Sequence, residues 1–427
     1  MGVKVAVVGA GSTYTPQLME GFVSHRDRLP VDELSMLDVD ADRLDVVGGV
    51  SRRILAREGW EGTLVTTTDR DRALDGASFV VVQIRVGGQA ARLLDETLPL
   101  RFGCIGQETT GPGGFAKALR TVPVVLGLAE ETARRADAGA WLVDFTNPVG
   151  IVTQALLDAG HRAIGLCNVA IGLQRSLAAL LEVPWERVEL EHVGLNHLSW
   201  ERAVRVDGVD MAPHLLERFA DDVAAEVELP ADLLRLLGVI PSYYLRYYYL
   251  NDEVFREQRS GAQISRAEEV MDIERQLLEL YRDQSLDHKP DLLALRGGAF
   301  YSEAAVRLMA SLHAGTGDVQ VVDVKNDGAM PDLPADAIVE VPAKVDRTGA
   351  HPVSLAPLQP ELLGLVELAK AYERLAVEAS LSGSRTAALK ALLANPLVPS
   401  YGVAGPLLDA LLEANRSHLP RFFPGDS

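Results

Sequence analysis

The sequence predicts an α/β protein: a Rossmann-like, doubly wound parallel sheet followed by an α+β lobe. Three observations predict it. Apolar, β-branched runs alternate with helical patterns through the first 167 residues. A glycine-containing turn, Gly9-Ala10-Gly11, follows the first of these runs. Beyond residue 167 the alternation gives way to long helical patterns with a few strands between them. We therefore expect one domain over residues 1–167 and a second over residues 168–427.

In chain order, the first domain should contain strands at Val3–Val8, Leu34–Leu37, Thr63–Thr67, Phe79–Ile84, Trp141–Phe145 and Ala163–Leu166. Several are apolar throughout, as strands covered on both faces are. Helical patterns separate them at Pro16–His25, Arg43–Arg57, Phe115–Arg135 and Val149–Leu157. Pro16 suits the first turn of its helix, where its missing N–H costs nothing. A βαβ rhythm of this kind implies right-handed crossovers and a parallel sheet. In the second domain, Val188–Val193 and Trp200–Val206 read as strands. Helices follow at Arg266–Arg282, Glu303–His313, Glu361–Ala379 and Ala404–Asn415, with further strands at Val319–Val324 and Ala337–Val341. Pro352–Pro360 reads as a loop before a helix.

Composition excludes several classes of function. Of 427 residues, 41 are Lys or Arg and 60 are Asp or Glu, a formal charge of −19 that repels nucleic acid and anionic lipid. A small anionic substrate would need a local arginine pocket. No apolar run approaches the roughly 18 residues of a membrane span, and the opening MGVKVAVVGAG reads as a buried strand rather than a secretory leader. The expected location is the cytoplasm. Two cysteines, Cys104 and Cys167, make no disulfide framework. Cys104 reads as core filler.

The turn Gly9-Ala10-Gly11-Ser12-Thr13-Tyr14 carries two glycines of the dinucleotide fingerprint, one for the tight turn and one for close approach of a pyrophosphate. Tyr14 stands where the third would be. The second strand ends on Asp38, at the spacing of an acid that binds a ribose hydroxyl, which favours NAD over NADP. Gly9, Gly11, Ser12, Thr13 and Asp38 are thus the cofactor candidates. Arg85 follows the fourth strand, whose carboxyl end should face the ligand crevice. The glycine-rich stretch 105–115 suits an active-site loop better than a core segment. Asn147, after the fifth strand, can both donate to and accept from a sugar or carbonyl, or simply make an Asx turn before Pro148.

These residues, taken with motifs along the rest of the chain, resemble glycoside hydrolase family 4, the NAD- and Mn-dependent glycosidases, and within it the 6-phospho-β-glucosidases. The matching stretches are GAGSTYTPQL at 9–18, IGQETTGPGGF at 105–115, DFTNPVG at 144–150, GLCNVAIG at 165–172, GLNHLSW at 194–200, YYLRYY at 243–248, RAEEVM at 266–271 and RGGAFYS at 296–302. The resemblance implies an architecture like that of lactate and malate dehydrogenases. It implies a reaction in which NAD oxidises the sugar at C3, a tyrosine removes the acidified C2 proton, the C1–O bond eliminates, water adds and the hydride returns. It assigns Cys167 and His197 to a divalent metal, Mn2+, and Tyr244 to the base, with Glu108 supporting it. Arg85, Asn147, Asn168 and Arg266 become substrate contacts, the arginines meeting a 6-phosphate. Family members are typically homodimers or homotetramers, and the partner of the site is a phosphorylated glycoside.

A thiolate and an imidazole suit a borderline first-row metal, and a Lewis acid stabilises an enolate-like charge. Asn168 stands where α-specific relatives usually carry an Asp, which favours the β reading; the acid for the leaving group stays unassigned. Ala170 and Val86 replace prolines common in close relatives. Two alternatives remain open: a family 4 α-glycosidase or one acting on an unphosphorylated sugar, and an NAD-dependent hydroxy-acid dehydrogenase, which would have no need of Cys167 with His197.

Overall fold

The computed structural model describes residues 2–261, 264–298 and 300–425. Ala299, within the RGGAFYS stretch, lies outside them. The first half forms six strands: β1 (Val3–Val8), β2 (Val31–Leu37), β3 (Thr63–Thr67), β4 (Phe79–Val82), β5 (Trp141–Asp144) and β6 (Ala163–Gly165). They pair in parallel in the order β3-β2-β1-β4-β5-β6. This is the doubly wound order, and it reverses direction between β1 and β4, where such folds open a crevice at the carboxyl ends of the strands. Val5, Val7, Val80, Val81 and Val82 are fully buried. Helices on both faces explain why these strands are apolar throughout.

The second half builds β7 (Val188–Leu195), β8 (Leu198–Val206), β9 (Val209–Asp210), β10 (Ile240–Pro241), β11 (Asp318–Lys325), β12 (Ile338–Asp346) and β13 (Gly349–Pro352). β7 to β10 make a small separate sheet around the β7–β8 hairpin. β11, β12 and β13 do something the composition gave no hint of. They continue the main sheet past β6 in antiparallel pairing, giving nine strands in all. Asp323 of β11 sits opposite Gly165 of β6. Residues on both sides of position 167 therefore share one sheet.

Several boundaries differ from the expectation. β2 begins at Val31, and β4 stops at Val82. Ile84 has left the ladder, its N–H donating to Thr146 Oγ1 at 3.2 Å. The long helix begins at Gly111, not Phe115. Its glycines read as loop on propensity, but a Cβ on Gly113 would stand 2.2 Å from the Gln107 carbonyl oxygen, and one on Gly114 2.5 Å from that of Thr109. Close packing overrides propensity here. Helices at Gly88–Thr97 and Val169–Leu180 were not expected; both leave the sheet through glycine-rich or polar turns. No helix among the described residues is long and apolar enough to cross a membrane.

Candidate active site

At the switch between β1 and β4 the structure opens a cavity of 1310 Å3. β1 delivers the glycine turn to its wall. Gly9 has φ +85°, and a Cβ there would stand 2.7 Å from the Gln83 carbonyl oxygen, so only glycine fits. The Gly11 N–H donates to Asp38 Oδ2 at 2.7 Å, and Asp40 N–H donates to Oδ1 at 3.0 Å. Gly9, Gly11, Ser12 and Asp38 line the cavity; Thr13 is fully buried behind them, its hydroxyl without a partner. Tyr14, in the third glycine's place, also lines the cavity; its hydroxyl meets Ser302 Oγ at 3.1 Å and its ring stands edge-on to Tyr301.

The middle of the cavity is a charge cluster. Glu108 accepts from Arg85 through both amino groups, from Lys117 Nζ at 2.7 Å, and lies 3.4 Å from Arg92. Burial works to raise the Glu108 pKa, but Arg85, Lys117 and Arg92 outweigh it and hold the carboxyl well below its ordinary range. Lys117 is almost fully buried, and desolvation with Arg85 nearby pushes its pKa down to about 7 despite Glu108. Arg85, expected to meet a substrate anion, is thus turned toward Glu108. Arg92 is shared in turn with Glu96, to which its Nε donates at 2.7 Å, so the cluster pairs Arg85, Lys117 and Arg92 with two carboxylates.

Cys167 directly follows the segment after β6, and His197 sits at the tip of the β7–β8 hairpin with φ +63°. A positive φ at histidine is uncommon and marks an imposed backbone. Tyr244 lies in a short 3-10 turn, Tyr243–Leu245. Its ring stacks on His197 with centroids 3.7 Å apart, and it packs against Cys167 and Val169. Cys167 and His197, distant in the chain, are thus both brought against Tyr244. Tyr244 lines the cavity, with Cys167 and His197 buried behind it. Burial pushes the Cys167 thiol and the Tyr244 hydroxyl well above their ordinary values, and it depresses His197 to about 3, a neutral imidazole. Among the described residues no cluster of three or more His, Cys, Asp and Glu side chains is arranged to hold a metal.

Asn147 and Asn168 line the same cavity; Asn147 Oδ1 is buried with no partner. Arg266 reaches its wall while paired with Glu269 at 2.6 Å and donating to the Leu295 carbonyl at 2.8 Å. Lys117, Arg92, Tyr301, Glu274 and Arg296 also contribute side chains that sequence reasoning did not single out. Arg296 and Tyr301 lay inside a quoted motif. Lys117 lies within a helical pattern, where a lone lysine reads as solvated surface.

Both implied cofactors fit what is present. The backbone at Gly9 and Gly11 leaves no room for a Cβ on the side facing Asp38 and Gln83, as a dinucleotide turn requires. For a cation, Cys167 offers a sulfur and His197 a neutral imidazole, a donor pair that suits a borderline first-row metal, and both oxygens of nearby Asp323 are buried without a partner. A positive ion held there would favour the thiolate form of Cys167.

Comparison with protein-family models matches residues 4–183 to "Family 4 glycosyl hydrolase" and residues 192–398 to its C-terminal domain. The chain belongs to glycoside hydrolase family 4. Among family 4 relatives, a Bacillus subtilis (strain 168) protein named "Probable 6-phospho-beta-glucosidase" is 41% identical, covering 99% of this chain and 98% of its own. A solved structure of the 6-phospho-beta glucosidase from Thermotoga maritima, with manganese, NAD+ and glucose-6-phosphate, superposes with a TM-score of 0.92 at 34% identity, covering 97% of this chain and 99% of that one. Malate dehydrogenase from Plasmodium falciparum shares the fold at a TM-score of 0.55, with 15% identity, 89% of this chain and 98% of that one covered. This family 4 chain thus shares its fold with that dehydrogenase and brings its β7–β8 hairpin and tyrosine turn to the cavity.

Proposed function

We propose that this family 4 glycosidase hydrolyses 6-phospho-β-glucosides with NAD and a divalent cation, Mn2+, as cofactors. One observation carries the reading: a single cavity joins the Gly9–Asp38 turn to Tyr244, behind which Cys167 and His197 converge. NAD supplies hydride exchange at the sugar ring, and the cation supplies Lewis acidity beside it. Gly9, Gly11, Ser12 and Asp38 would hold the cofactor, with Thr13 shaping the turn from beneath. Cys167 and His197 would hold the cation.

The chain's own residues do the rest. Tyr244 takes the proton from the sugar's C2, its ring orientation fixed by the stack on His197. A buried tyrosine hydroxyl is a weak base, so it needs positive charge close by. The cation held by Cys167 and His197 would supply that charge when bound, while Glu108 keeps Arg85 and Lys117 in place on the wall of the same cavity. Asn147, with its unpartnered Oδ1, accepts from a sugar hydroxyl, and Asn168 approaches from the start of the Val169–Leu180 helix. Arg266 and Arg85 receive the 6-phosphate; Arg85 would then share itself between Glu108 and the phosphate.

The deciding experiment offers p-nitrophenyl 6-phospho-α- and 6-phospho-β-glucosides, with and without Mn2+, NAD and thiol. Release of nitrophenol from the β-substrate, dependent on all three and with no net NADH, is expected. Preference for the α-anomer, or stoichiometric NADH, would replace this reading by an α-glycosidase or a dehydrogenase respectively.

A further inference from the structure

Glu274, on the helix Arg266–Arg282, is a buried carboxylate for which the proposed reaction has no use. It is 6% exposed, and three elements converge on it. Arg296 gives it two hydrogen bonds, from Nη2 at 2.9 Å and Nε at 3.3 Å. Arg43, on the helix Ala41–Arg57 that follows Asp38, reaches its other oxygen at 3.4 Å. Gln89, beyond the Arg85 loop, donates to it at 3.1 Å. All four side chains line the cavity.

What the two arginines do next gives Glu274 its meaning. Arg43 Nε donates to the Gly11 carbonyl oxygen at 3.2 Å, and Arg296 Nη2 donates to Ser12 Oγ at 3.4 Å. One turn of the glycine loop is thus gripped from both sides by cations that share a single counter-charge. The same helix supplies a third hold, Tyr281 Oη donating to the Thr13 carbonyl at 2.7 Å. Residues 11, 12 and 13 are each bound by a side chain, two of those three side chains coming from the second half of the chain. Burial opposes ionisation of Glu274, but Arg296 and Arg43 prevail and its pKa lies below the ordinary value, so it stays charged.

We propose that Glu274 is a positioning residue for the cofactor: it holds Arg43 and Arg296 on either side of Gly11–Ser12, shaping the turn to receive a dinucleotide's diphosphate. The proposal rests on the reading of that turn as the NAD site. Simple electrostatics makes the opposite forecast, because Glu274 is itself negative, and removing it should draw a diphosphate in. The two accounts therefore differ in sign.

The test measures NAD+ binding to the full-length protein by equilibrium dialysis, for wild type, Glu274→Gln and Arg43→Gln. Positioning predicts that Glu274→Gln raises the Kd for NAD+ about tenfold, as for loss of a charge-assisted hydrogen bond. The KM for the phosphorylated glucoside at saturating NAD+ should stay within about twofold. Arg43→Gln should weaken NAD+ in the same direction, and the double variant should be no worse than the poorer single one. An unchanged or lower Kd in Glu274→Gln overturns the proposal, whatever its thermal stability. Should Glu274→Gln fail to fold, Arg43→Gln decides, since its side chain is a third exposed and an unchanged Kd there overturns the proposal equally. Wild-type protein that binds no NAD+ would instead remove the cofactor reading itself.

Discussion

The Tyr244 ring lies flat on the His197 imidazole, their centroids 3.7 Å apart and their planes 16° from parallel. The stack separates two jobs of one side chain: the ring sets position, and the hydroxyl, hydrogen-bonded to that of Tyr243, is left for chemistry. Tyr244→Phe should keep the first and lose the second. Turnover is expected to fall by about 10²–10⁴, the usual worth of a general base, with thermal stability preserved. Exchange of the substrate's C2 hydrogen in D2O, followed by NMR, should slow in parallel; undiminished exchange would point to Tyr243 or Tyr247 instead.

A cation held by only two protein side chains should be lost readily to a chelator. Treatment with EDTA is expected to abolish activity, and Mn2+ with thiol to restore it. Cys167→Ser and His197→Ala should each abolish turnover while circular dichroism stays native. Full activity after exhaustive chelation would remove the metal from the scheme.

Glu108 is the shared partner of Arg85, Lys117 and Arg92 on the cavity wall. Glu108→Gln leaves Arg85 and Lys117 without their carboxylate partner, while Arg92 keeps Glu96, and breaking a buried pair in this way costs about 3–5 kcal/mol. Urea unfolding should show that loss in the midpoint, at unchanged slope. A variant as stable as the parent would mean the cluster is already well hydrated.

Away from the cavity, His192 lies fully buried between Glu201, at 2.7 Å, and Glu340, at 3.1 Å. Burial alone would lower its pKa, but the two carboxylates raise it to about 10. The folded value is above the unfolded one of about 6.5, so the native state binds the extra proton. Its contribution is complete below that unfolded value and disappears as the pH climbs through about 10. Asp144, raised by burial to about 8, adds a slope of the same sign at lower pH. Tm is therefore expected to fall between about pH 6.5 and 10, and to fall less steeply in His192→Gln. Equal slopes would show that His192 is neutral in the native protein.

The arginine pocket predicts substrate preference. Removal of Arg266 should raise KM for a 6-phosphoglucoside by about tenfold or more, as expected for a hydrogen bond to a charged group. It should leave rates on an unphosphorylated glucoside alone. Parent protein that handles both sugars equally would take the phosphate out of the assignment.

Much of this was legible in the residues. β1, the turn at Gly9 and Asp38 could be read directly because strand period, turn chemistry and spacing all act over short distances. The meeting of Cys167, His197 and Tyr244 was inferable only through motifs, since nothing local in a lone cysteine or histidine points to the other. The Glu108 cluster was half visible: the loop declared itself by its glycines, but Lys117 and Arg92 sit on helices where a cation ordinarily faces water. The continuation of the sheet by β11 to β13 left no mark, because antiparallel pairing across 158 positions of chain, Gly165 to Asp323, depends on tertiary packing alone.

That seam between β6 and β11 has a practical outcome for anyone wishing to graft parts between such enzymes. Cutting at residue 167 would strip β6 of the neighbour that meets it at Gly165 and open an edge in the sheet, an adhesive border that invites clumping. The two portions are woven together, so a transplant of cofactor preference has to travel as individual side chains on a whole chain, never as a detachable module.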